Sequence, residues 1–73
     1  MEVNRKAIYK VCVALADRCS KWGQNADWFF EQVMPAFDGK VPAVSVTIAV
    51  LADYDGWCHA TIDRSGSYTM KRA

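Results

Sequence analysis

Cys58 and His59 are adjacent in this sequence, and together they have its greatest potential for chemistry. A thiol beside an imidazole can act as a nucleophile with its general base, provided that the two side chains lie within hydrogen-bond reach. Neighbouring residues of a β-strand point to opposite faces of the sheet, and this segment has a strand pattern. We therefore expect the two side chains to diverge, and the sequence predicts no catalytic residue and no enzyme activity.

Metal binding is the second chemistry that these residue types allow. The cysteines are Cys12, Cys19 and Cys58, and none belongs to a closely spaced C-x₂-C pair of the kind found in zinc sites. Cys12 and Cys19 share one face of a predicted helix, where cysteine is a common small core residue. Asp53 and Asp55 lack the further ligands of a calcium loop. The sequence predicts no metal site and no cofactor.

Length and composition predict one domain, residues 1–73. The hydrophobic share of 52% is ample for a core. The odd number of cysteines is typical of a reducing compartment, and neither a leader peptide nor an apolar run of about 20 residues is present. We expect a cytoplasmic protein that does not bind membranes. Because so small a domain often gains stability by self-association, a homodimer is a further expectation.

Apolar residues at helical spacing predict a first helix over residues 4–22, with Asn4 as its N-cap and Gly23 closing its end. Its core-facing stripe comprises Ile8, Val11, Cys12, Leu15, Cys19 and Trp22. A second helix is expected to begin after Asn25 and to end near Met34, because a proline at position 35 removes a backbone donor. The predicted core face of this helix comprises Ala26, Phe29, Phe30, Val33 and Phe37.

Residues 43–52 alternate in the manner of a strand and are rich in β-branched side chains. Turn signals at 53–56 and 64–66 separate this segment from two further strands, 57–63 and 67–71. The predicted fold is α+β, with two N-terminal helices packed on one face of a three-stranded antiparallel meander.

The same segment also allows a helical interpretation, in which Ser45 caps a third helix. The stretches SVTIAVLADYDGW and ATIDRSGSYTMKR would then resemble a winged-helix domain, with three helices and a β-hairpin. That resemblance implies a nucleic-acid-binding regulator, and it stands as the alternative to the meander.

Seven basic residues could contact phosphates in that alternative. They are Lys6, Lys10, Arg18, Lys21, Arg64, Lys71 and Arg72. A recognition helix over 45–54 would, however, offer no Arg, Lys, Asn or Gln to read base edges. Nucleic-acid binding is therefore less favoured than protein binding.

Large apolar side chains left outside the predicted core favour a protein partner. They are Trp28, the pair Tyr9 and Val13 beside the first helix's stripe, and Trp57, which shares the open sheet face with His59. The sequence thus predicts a non-enzymatic protein-binding module, an adaptor or an inhibitor, of a size compatible with an origin on a mobile genetic element. It does not identify the partner.

Overall fold

A computed structural model describes residues 2–18, 25–39, 41–50 and 56–72. Two α-helices are followed by a short 3₁₀ turn and a three-stranded antiparallel sheet of order β1-β2-β3. The elements are α1 (Arg5–Arg18), α2 (Ala26–Ala36), the 3₁₀ turn (Phe37–Gly39), β1 (Ala43–Val50), β2 (Gly56–Asp63) and β3 (Tyr68–Arg72). The predicted α+β meander is confirmed, and the winged-helix alternative is not needed.

The start of α1 is capped as the sequence predicts. Asn4 Oδ1 accepts a hydrogen bond from the Ala7 N–H at 3.1 Å, and the Asn4 carbonyl accepts one from the Ile8 N–H at 3.0 Å. The described helix ends at Arg18. The rest of the predicted helix, with Cys19, Trp22 and Gly23, lies outside the described residues.

The second helix also begins at its predicted cap, since Asn25 Oδ1 accepts from the Trp28 N–H at 2.9 Å. It ends at Ala36, two residues beyond the end predicted from Pro35. A proline this close to the C-terminus removes only one intrahelical donor and leaves the following turn able to form. The chain indeed continues as a 3₁₀ turn, in which the Phe37 N–H donates to the Met34 carbonyl.

The sheet alternates between a face that packs on the helices and an open face. In β1, Val44 and Ile48 are buried while Ser45 and Thr47 are exposed, so the alternation predicted for this segment is confirmed. β2 and β3 begin within one residue of their predicted starts. The buried residues form one core between sheet and helices: Ile8, Val11, Cys12, Leu15, Phe29, Val33, Phe37, Val44, Ile48, Cys58, Ala60 and Ile62.

The turn between β2 and β3 is organised by one carboxylate. Asp63 Oδ1 accepts hydrogen bonds from the Ser65 hydroxyl at 2.6 Å and from the N–H groups of Ser65 and Ser67, each at 3.0 Å. Gly66 completes the turn with a φ of +93°, a conformation that favours glycine. Its backbone lies directly against Ala7 of α1.

Arg64 in the same turn connects it to the segment between α2 and β1. Its Nε donates to the Val41 carbonyl at 2.9 Å, and its Nη2 donates to the Phe37 carbonyl at 3.1 Å. The guanidinium also lies 5.6 Å from the centre of the Phe37 ring. The Arg64 carbonyl in turn accepts from the Asn4 N–H at 2.8 Å. The turn is thus bonded both to the start of α1 and to the connection that leads into β1.

Replacing Gly66 tests how closely the turn and α1 approach. We expect Gly66→Ala to lower the free energy of unfolding by about 2–4 kcal/mol, because it adds backbone strain and forces a methyl group into Ala7. Gly39→Ala is the matched control: an added Cβ there meets no atom within 4 Å. It should remain within about 1 kcal/mol of the wild type. Equal effects of the two substitutions in urea melts would contradict this packing.

The Asp63 carboxylate should make stability depend on pH. The Ser65 hydroxyl, followed by the Ser67 N–H, holds the pKa of Asp63 below its usual value. A lowered folded pKa stabilises the protein above about pH 4, the ordinary aspartate range, and this contribution is lost as the pH falls through the folded value. Asp63→Asn should therefore be less stable than the wild type at about pH 6, and the difference should shrink as the pH falls through the lowered pKa of the folded state.

The exposed Asp38 provides the control for this pH series. Asp38→Asn should follow the wild-type profile of unfolding free energy against pH. If Asp63→Asn follows it as well, the carboxylate does not organise the turn.

Candidate functional site

The open face of the sheet is the candidate site, and the strand register defines its composition. One cross-strand row consists of Thr47, His59 and Lys71 from β1, β2 and β3. Trp57 lies two residues before His59 on β2 and therefore shares this face. A second row consists of Ser45, Thr61 and Thr69.

In each row, a side-chain hydrogen bond joins the residue of β1 to the residue of β2. The Thr47 Oγ1 and His59 Nδ1 atoms are 3.0 Å apart, and the Ser45 and Thr61 hydroxyl oxygens are 3.1 Å apart. Cross-strand pairs of this kind stabilise a sheet, and here the Thr47 hydroxyl also orients the His59 ring. The sequence alternation predicts that these residues share a face, but it contains no signal for the register that pairs them.

Trp57 is the most prominent apolar group on this face, with 48% of its surface exposed. On the same strand, Cys58, Ala60 and Ile62 are buried in the core. The face of β2 opposite Trp57 therefore packs against the helices. In the register, Trp57 lies opposite Ala49 of β1, and Thr47 and His59 form the next row on this face. An exposed tryptophan among groups that can form hydrogen bonds is the composition typical of an interface centre.

Tyr9 and Val13 lie on a different surface, the flank of α1 that faces α2. The Tyr9 hydroxyl donates to Asp27 Oδ1 at 2.8 Å, and its ring meets the Phe30 ring edge-on at 5.3 Å. The hydrogen bond to Asp27 raises the pKa of Tyr9. Val13, one turn further along, is 41% exposed. Tyr9 therefore connects the two helices, yet 39% of its surface remains exposed, so Tyr9 and Val13 both contribute apolar surface on this flank.

Trp28 belongs to a third surface. It is two residues from Phe30 on α2, so the two side chains point roughly 160° apart around the helix. The Trp28 ring packs edge-on against the Phe29 ring at 5.1 Å, and 36% of the residue remains exposed. The five residues predicted to bind a partner are thus divided among three surfaces, and only Trp57 and His59 occur together on the sheet.

The basic residues proposed for the nucleic-acid alternative are dispersed as well. Lys6 and Lys10 are exposed on α1, whereas Lys71 lies on the open face of the sheet. Arg72 pairs in register with the buried Cys58 and so lies on the helix side of β3. Arg18 approaches the same side, its Nη1 lying 3.9 Å from the Met70 sulfur.

The remaining two basic residues do not complete a patch. The Arg64 guanidinium is bonded to backbone carbonyls of the 37–41 segment. Lys21 falls in a stretch that the structure does not describe. No single basic surface emerges from the residues that are described.

Cys58 and His59 diverge as the sequence predicts, since Cys58 is buried in the core and His59 is exposed on the open face. Cys12 is fully buried, and burial raises the pKa of its thiol to about 11. The described residues contain no group of three His, Cys, Asp or Glu side chains placed to hold a metal ion. No helix among them is long and apolar enough to cross a bilayer.

Comparison of the chain with protein-family models, curated proteins and solved structures found no match.

The Cys12 thiol provides a direct test of the core at the centre of α1. A pKa of about 11 implies a roughly hundredfold smaller thiolate fraction than the ordinary thiol value of 9.0. A disulfide reagent at about pH 8 should therefore label Cys12 slowly in folded protein and rapidly in urea, as followed by peptide mass spectrometry. Rapid labelling of Cys12 in the folded protein would contradict its burial.

Stoichiometric zinc that survives dialysis would contradict the prediction that the protein binds no metal.

Proposed function

We propose that this protein is a non-enzymatic protein-binding module, an adaptor or an inhibitor, whose site is the open sheet face centred on Trp57 and His59. The observation that supports this proposal is the 48% exposure of Trp57 on a strand whose other face is committed to the core. The fold does not need the indole for its core. A partner that covers it would bury a large apolar surface at the centre of the contact.

The hydroxyl rows lower the cost of covering this face. A polar group that loses water without gaining a partner costs about 1–3 kcal/mol. The Thr47–His59 and Ser45–Thr61 pairs each already share one hydrogen bond within the sheet. A partner can therefore bury them without supplying a new hydrogen bond to each hydroxyl group.

A protein fits this face better than a nucleic acid does. Nucleic-acid binding depends on several cations that contact phosphates from one surface. Lys71 is the one basic residue within the described part of the open face, and Lys6 and Lys10 lie on the helical layer. Contacts through the indole and the hydroxyls would dominate binding instead.

A cytoplasmic location is part of the same proposal. It is supported by the odd number of cysteines and by the burial of Cys12 and Cys58, which keeps both thiols in the core.

Two tryptophans in different layers allow a matched test of the site. The protein, its Trp57→Ala variant and its Trp28→Ala variant would each be used to capture partners from the native host, followed by mass spectrometry. A captured partner would then be purified for affinity measurements. We expect Trp57→Ala to weaken binding about 30-fold, which corresponds to about 2 kcal/mol, and Trp28→Ala to change it less than threefold or so. Urea melts of both variants would establish that the fold is retained.

Salt dependence separates the two classes of partner. Binding that buries Trp57 should change little between about 50 and about 200 mM salt, because screening has little effect on apolar burial. A steep loss of affinity with salt, together with sensitivity to Lys6→Ala and Lys10→Ala and not to Trp57→Ala, would overturn the protein-binding proposal in favour of nucleic acid. A folded Trp57→Ala protein that binds its partner as well as the wild type would also overturn the assigned site.

A further inference from the structure

The two outer strands of the sheet differ sharply in how they are protected. β1 and β3 each pair only with β2, so each has a row of backbone N–H and C=O groups with no strand beside it among the described residues. Such an edge is a template for another strand unless charge, proline or short length blocks it.

β3 has these protective features. It is five residues long, and its last two residues, Lys71 and Arg72, are both cationic. Short length and cationic side chains are both features that protect an edge strand from pairing with another strand. β1 is eight residues long with the sequence AVSVTIAV, which contains no charged residue and no proline. This sequence therefore lacks the charges and the proline that protect an edge from pairing with a second copy.

The pattern of β1 is also complementary to itself in an antiparallel arrangement. A twofold axis through Val46 would place Val44 opposite Ile48 of the second copy, on the helix side of the sheet. On the open face, Ser45 would lie opposite Thr47 of the second copy, the type of hydroxyl pair that already joins β1 to β2. Val46 would lie opposite itself.

The burial of these residues favours the same arrangement. Val44 and Ile48 are buried on the helix side, but Val46 between them is only partly buried. A second β1 would cover this central valine and would add no unpaired polar side chain.

We infer that β1 pairs with β1 of a second copy to form a six-stranded antiparallel sheet. The assembly goes beyond the proposed function, because it requires no other protein and does not involve Trp57. It places two open faces side by side on one continuous surface. Because a single strand pair covers little area, the dimer should be weak, with a dissociation constant on the order of 10–100 μM.

The test uses two lysine substitutions in one cross-strand row. Ser45 and Thr69 both pair in register with Thr61, from opposite edges of the same face, and both are exposed. Sedimentation of the wild type from about 1 μM to about 1 mM should show a reversible monomer–dimer equilibrium. Ser45→Lys should weaken this dimer roughly tenfold or more, whereas Thr69→Lys should change it little.

A second measurement does not depend on the variants. In a mixture of ¹³C-labelled and unlabelled protein, isotope-filtered NMR should detect contacts between Val46 of one copy and Val46 of the other. A wild type that remains monomeric up to about 1 mM would overturn the inference. A dimer that dissociates with Thr69→Lys but not with Ser45→Lys would also overturn it, because the contact would then lie at β3.

Discussion

Gly66 lies against Ala7 with no room for a side chain between them, and this contact fixes the turn between β2 and β3 beneath the start of α1. Much of the remaining structure depends on that approach. The carbonyl of Arg64 in the same turn accepts a hydrogen bond from the Asn4 N–H, and the Arg64 guanidinium donates hydrogen bonds to the carbonyls of Phe37 and Val41. Hydrogen bonds from this one turn therefore hold both the start of α1 and the segment that leads into β1.

The helices are thereby held over one face of the sheet, and the opposite face is left outside the core. On β2 the buried residues Cys58, Ala60 and Ile62 anchor the sheet to the core, while Trp57 and His59 occupy the opposite face. A chain of 73 residues has few side chains to spare, so a half-exposed tryptophan is a costly surface group unless it is covered by a partner. Pairing of the uncharged β1 edge would likewise stabilise the protein, because a small domain gains stability from each surface that it can bury.

The sequence predicts the elements of this fold because each is encoded by local patterns. The stripe through Ile8, Leu15 and their neighbours predicts α1, and alternation predicts that Val44 and Ile48 face the core. Those patterns also predict that Cys58 and His59 diverge. The end of α2 is less predictable, since a proline near a helix terminus permits either outcome. Of the turn predicted at 53–56, residues 53–55 lie outside the described residues, and Gly56 begins β2.

The arrangement of the candidate site could not be predicted because it depends on contacts that are distant in sequence. Arg64 is one of the basic residues that the sequence offers for phosphate contact, yet its guanidinium donates hydrogen bonds to carbonyls 23 and 27 residues away. No local pattern specifies such partners. Similarly, the sequence shows that Tyr9, Trp28 and Trp57 are surplus to the core but not that they lie on three separate surfaces. Only the packing of α1 against α2, and of both helices against the sheet, decides that division.

We propose that the open sheet face, and not the helical layer, meets the partner. Chemical-shift mapping of ¹⁵N-labelled protein during titration with the purified partner tests it most directly. The largest shifts should occur at Trp57, His59 and their row neighbours Thr47 and Lys71. Shifts confined to α1 and α2, with the open face unchanged, would contradict the claim.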